Sequence, residues 1–195
     1  MANQQKLLLS TLVVGVLCGV TTLGVFGVFS ATTQNAGNEI STGTVTISDN
    51  DLGSALYNVT GAKPGDTVSK CIKTTYTGSL PSDVHLYTTS APGALAQYVD
   101  LTITKGTQTS SAFPDCTGFT ADAGPAIFSG TLQGFEQTHV GYASGIATTP
   151  AGHALWLTGD SVVYKVDAAL QASTPDASQG SSSGVHTFIW EARNA

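Results

Sequence analysis

From Leu7 to Phe29 the chain runs 23 residues without a charge, after an opening MANQQK in which Lys6 is the only cationic side chain. A helix needs about 20 apolar residues to cross a bilayer, so this run is long enough to span one. Its charged start, apolar middle and small-residue exit are also those of a secretory signal. Gly15, Gly19, Gly24 and Gly27, with Thr21 and Thr22, thin the hydrophobicity toward the exit. Two cuts satisfy the preference for small residues before the bond. Val25 and Gly27 place one before Val28; Val28 and Ser30 place another before Ala31. Left uncut, the run is an anchor with the Gly15 to Gly19 spacing as a packing seam. Cleavage is the reading adopted, and it makes the rest of the chain an exported domain joined to the membrane only as the uncleaved precursor.

The mature part is the size of one ordinary domain and long enough to bury a core. With Lys6 gone it holds six basic against thirteen acidic residues, and only 10% of the chain is charged. Such a surface repels phosphate backbones and no basic stripe offsets it, so no nucleic-acid partner is expected. Of the three cysteines, Cys18 lies in the apolar run behind Leu17, where a lipid-anchoring cysteine would need a small residue. Cys71 and Cys116 remain, an even pair that is expected to be bridged outside the cytoplasm. The rival role of metal thiolates lacks a Cys-x-x-Cys or Cys-x-x-His cluster.

Alternation of period two then dominates. "TGTVTI" puts Val45 and Ile47 on one strand face, and "SALYNV" over residues 54–59 is a second strand candidate. Pro64-Gly65-Asp66 and Leu80-Pro81-Ser82 are turn signals. Between them the β-branched run from Thr67 to Tyr76 favours strand, with Val68, Lys70, Ile72, Thr74 and Tyr76 on one face and Cys71 on the other. Leu101 and Ile103 alternate with Thr102 and Thr104 after a short helical turn around Leu95 to Tyr98. "GTLQGFEQTHVGYA" is the best helix candidate, with Leu132, Phe135 and His139 on neighbouring turns. "DSVVYKVDAAL" and "GVHTFIWEA" close the chain as strands around the polar loop "QASTPDASQGSSSG". Seven to nine strands with little helix predict an all-β protein, an antiparallel sandwich of jelly-roll or immunoglobulin-like type, after the signal helix.

Motifs that could carry chemistry are sparse. Gly180-Ser181-Ser182-Ser183-Gly184 fits G-x-S-x-G with Ser182 as nucleophile, but that chemistry needs a strand turning into a helix, and here a Ser-rich loop enters a strand. His85, His139, His153 and His186 are scattered, without H-E-x-x-H spacing. Asp49-Asn50-Asp51 gathers oxygen ligands but lacks the downstream Glu and glycine register of a calcium loop; it reads as a turn. Asn58-Val59-Thr60 is a glycosylation sequon by pattern alone. Trp156 and Trp190 could form a sugar platform, although a core uses tryptophan as readily. No catalytic residue, cofactor site or metal site is assigned.

"GVFGVFSATTQNAGNEISTGTVTI" resembles the amino-terminal region of the TasA and camelysin family, secreted proteins of Gram-positive bacteria processed by the SipW type of signal peptidase. Phe29, Ser30, Asn38, Gly43, Thr44, Val45 and Ile47 occupy the family positions. "KPGDTVSKCIKTTYTGSLPSDVHLY" is similar to the family turn, strand and hairpin through Pro64, Gly65, Asp66, Gly78, Leu80, Pro81 and Val84. "FPDCTGF" and "HTFIWEA" look like a cysteine-containing subgroup. The resemblance implies a cut between Gly27 and Val28: residues 1–27 as signal peptide, 28–42 as a polar segment able to act as donor strand, and 43–195 as the sandwich. It implies a self-associating extracellular protein of biofilm fibres or the cell surface, with signal peptidase as its export partner. Some relatives are described as metallo-endopeptidases, which makes a secreted camelysin-like protease one alternative; an envelope-associated binding module is the other.

Overall fold

A computed structural model describes residues 41–110 and 112–195. The apolar run, both candidate cuts and residues 28–40 lie outside the described residues. The elements are β1 (Ile47–Asp49), β2 (Thr67–Tyr76), β3 (Ser82–Tyr87), β4 (Val99–Gln108), β5 (Phe119–Ala121), β6 (Phe128–Thr131), α1 (Leu132–Thr138), β7 (Ile146–Thr148), β8 (Ser161–Leu170) and β9 (Ile189–Asn194). Six strands form one sheet in the order β1-β2-β8-β4-β5, with β6 also on β4; the other sheet is β7-β3-β9. Every pairing is antiparallel. The protein is an all-β sandwich. The pairs β2·β8, β3·β7 and β4·β6 nest inside one another, as when a long hairpin is rolled into two sheets, which is jelly-roll logic.

The β-branched runs sit where one face of the sheet is buried. Ile72, Thr74 and Tyr76 of β2 lie beside Tyr164 and Val162 of β8, facing inward with Leu101 and Ile103 of β4. Against them pack Val84 and Leu86 of β3, with Ile146, Trp190 and Ala192 partly buried at the margin. Trp156 is fully buried, and its indole N–H donates to the Thr148 carbonyl at 2.6 Å. The Tyr164 hydroxyl donates to Thr148 Oγ1 at 2.9 Å, so the core's polar atoms are paired there rather than orphaned. Tyr76 hydroxyl donates to the Leu80 carbonyl at 2.5 Å and pins the turn that leads into β3.

The outer face of the larger sheet is crossed by a strap between β4 and β5. The Cys71 N–H donates to the Pro114 carbonyl at 3.1 Å, and Cys71 is disulfide-bonded to Cys116 with Cα atoms 5.1 Å apart. Gly106 lets β5 approach, because a Cβ there would run into the Thr120 carbonyl oxygen.

Three expected strands are lost or shortened. Residues 54–59 form a loop in which Leu56 and Tyr57 are drawn inward against the core. The first strand begins at Ile47, not Thr44: the Thr44 and Thr46 carbonyls instead accept N–H groups from Thr77 to Leu80 of the β2–β3 turn. The last strand begins at Ile189 because residues 182–187 are bonded to residues 90–95. Helix α1 forms as expected, capped by Thr131 Oγ1, which accepts the Gly134 N–H at 3.1 Å.

Candidate functional site

Among the described residues strand β9 pairs with β3 on one side only. The Ala195 N–H donates to the Pro81 carbonyl, so by alternation the odd residues of β9 bond to β3 and Trp190, Ala192 and Asn194 turn their N–H and C=O groups to the open side. Among the described residues none of these three has a backbone partner there. The edge of β2 is treated differently. Its residues 74–76 carry β1, Lys73 N–H is taken by Asn50 Oδ1 at 2.8 Å and Cys71 N–H by the strap. Thus β9 offers the longer open edge, the feature that natural sheets usually cover.

Beside that edge lies a cleft of about 370 Å³, walled by the loop from Asp49 to Tyr57 and by residues 185–188, with Ile72 and Trp190 toward the core. Its rim carries two aliphatic side chains in water: Leu52 is 96% exposed and Val185 93%. Leu52 also holds φ at 53°, a left-handed conformation that costs a non-glycine residue about 1–2 kcal/mol. Asp49 and Asp51 build the turn that presents it. Asp49 Oδ1 accepts the Asp51 N–H at 3.1 Å and Asp51 Oδ1 accepts the Gly53 N–H at 2.6 Å. Burial raises the Asp49 carboxyl, and the Asp51 charge adds to this. The Asp49-Asn50-Asp51 stretch is therefore an occupied turn.

A second cavity, about 270 Å³, sits behind the cleft between Val68, Leu132, Leu170 and residues 182–186. Tyr57 and His186 line both spaces. The Tyr57 hydroxyl lies 2.5 Å from His186 Nε2. Burial lowers the imidazole pKa and raises that of the phenol, so the neutral ring accepts the phenolic proton. Under them is Glu136, which sequence reasoning passed over. It is 2% exposed and neither carboxylate oxygen has a hydrogen-bond partner among the described residues. Burial pushes its carboxyl up to about 7. The signal was present: Glu136 is four residues after Leu132 and next to Phe135, on the apolar stripe of α1.

The neighbouring candidates are scattered. His85 Nδ1–H donates to the Tyr142 carbonyl and His139 Nδ1–H to the Ser144 carbonyl, each at 2.7 Å, while His153 meets Asp160 at 2.8 Å. No three His, Cys, Asp or Glu among the described residues are placed to hold a metal ion. Ser182 lies in the loop before β9, its Oγ accepting the Gly184 N–H at 3.1 Å, with no helix following as the nucleophile turn requires. Asn58 is exposed on the wall of the second cavity. Trp156 is core, and Trp190 packs on Tyr164 with centroids 5.1 Å apart, so neither forms an open platform.

No family model and no curated protein matches the chain.

Proposed function

We propose that the protein is an exported structural subunit that self-associates into fibres of the extracellular matrix or cell surface, by adding a strand from another copy to the open edge of β9. The unpaired edge beside a cleft with both apolar and acidic walls is the observation that carries this reading. An added strand would meet the N–H and C=O groups of Trp190, Ala192 and Asn194 and alternate its side chains between solvent and the cleft. Each hydrogen bond gained adds about 0.5–1.5 kcal/mol net, and apolar anchors entering the cleft add the rest. The exposed aliphatics Leu52 and Val185 flank the place where such a strand would lie.

The donor is residues 28–42, freed by a cut between Gly27 and Val28. That segment carries Val28, Phe29, Ala31, Ala36 and Ile40 as apolar anchors. The charge-free leader and the Cys71–Cys116 bridge fit export, because such bonds persist in oxidising compartments. Deletion of residues 28–40 from the mature protein tests the reading. Electron microscopy should then show no fibres while circular dichroism and the melting transition stay those of the intact domain. Fibres of normal morphology from the truncated protein would refute the donor role, and amino-terminal sequencing of the released protein checks the cut.

A further inference from the structure

The Tyr57–His186 pair closes one end of the sandwich over a carboxyl that has nothing to bond with. The packing is continuous. Phe135, the neighbour of Glu136 on α1, meets Phe188 with centroids 5.7 Å apart, and Phe188 meets His186 at 5.7 Å. Tyr57 sits 5.3 Å from the His186 ring and feels the Glu136 charge. The segment carrying His186 is held by few other ties: Gly93 N–H to the Ser183 carbonyl, Leu95 N–H to the Ser182 carbonyl and Thr187 N–H to Ser90 Oγ.

We propose that Glu136 is a protonation-operated latch: its neutral carboxyl tolerates the dry packing of Tyr57 and His186 above α1, and its ionisation releases residues 182–188 and opens the cavity behind them. A buried carboxylate without partners is costly, and the cheapest relief is to admit water by moving the least anchored wall. Among the described residues no other group near it offers a counter-charge. His186 is neutral and already engaged with Tyr57. His139 on α1 donates to Ser144, Asp100 of β4 accepts from Gln171, Lys105 of β4 pairs with Asp122 at 3.1 Å, and Tyr98 from the turn before β4 does not bond to the carboxyl. Helix α1 packs on that turn, β4 and β6, and β6 contributes no ionisable side chain. The cavity exposed by release has Leu132, one turn before Glu136, in its wall. The latch operates whether or not the protein forms fibres.

Residue-resolved amide exchange of the oxidised protein, corrected for intrinsic chemistry, tests it at about pH 5 and about pH 8. Moving the carboxyl from 4.5 in water to about 7 in the closed form makes opening up to about 70-fold more frequent across that range. Exchange at Gly93, Leu95 and Thr187 should rise with pH in the native chain and stay faster at each pH than at β8, whose amides open only with the whole domain. Glu136→Gln, which keeps the shape of the neutral acid, should abolish the rise, and Glu136→Met serves the same purpose if the amide fails to fold. An equal rise in the variants, no rise in the native chain, or exchange at Gly93, Leu95 and Thr187 no faster than at β8 would each overturn the proposal.

Discussion

Reducing the Cys71–Cys116 bridge should lower stability by an amount the strap geometry makes calculable. The bridged residues are 45 apart in sequence, and the chain-closure relation gives about 4 kcal/mol for a loop of that length. In the folded state the strap has other ties: Pro114 accepts the Cys71 N–H, and Gln108 Nε2 donates to the Asp115 and Thr117 carbonyls at 2.7 and 3.1 Å. The reduced strap therefore stays docked, and the loss falls on the unfolded chain, which gains freedom. For a domain of this size the melting temperature should fall by roughly 8–16 °C. Urea titration of oxidised protein, reduced protein and the Cys71→Ala, Cys116→Ala double variant should show a lower midpoint in the last two, with a steeper denaturant slope because the unlinked chain expands further. A stability difference below about 1 kcal/mol, or an unchanged slope, would refute the entropic account.

Glu136 makes stability fall as pH rises from about 4.5 to about 7, because the folded state holds the proton more tightly than the unfolded chain. The loss is at most about 3 kcal/mol and smaller if water reaches the carboxyl; urea midpoints across that range should flatten in Glu136→Gln. Trp156→Phe should cost about 2–3 kcal/mol by leaving the buried Thr148 carbonyl short of a donor and opening space, read by thermal melting. Leu52→Asn should raise stability by about 1 kcal/mol at most, since asparagine accepts the left-handed conformation more readily, and should slow fibre growth followed by light scattering if the rim contacts a second copy. Gly106→Ala should cost about 1–3 kcal/mol by pushing β5 off β4, seen as faster amide exchange at residues 119–121.

The alternation of β-branched and polar residues in 67–76, 99–108 and 161–170 was enough to place three long strands, because a half-buried pleat needs that period whatever its neighbours are. The spacing of Leu132, Phe135 and His139 likewise placed α1, and the even pair of cysteines pointed to the bridge. Residues 54–59 carry a similar alternation, yet they form a loop in which Tyr57 turns to His186. Residues 184–188 keep their alternating faces without being strand, because Ser90 holds the Thr187 N–H and Gly93 holds the Ser183 carbonyl just before them. Glu136 was hidden for the same reason: a carboxylate on a helix stripe is ordinary until the turn before β4, β4 and β6 pack on the helix and shut out water. Local pattern is written by side-chain period and capping, which act over a few residues. Which edge stays open, and which acid goes dry, depends on segments distant in sequence meeting in space, and only the folded chain brings them together.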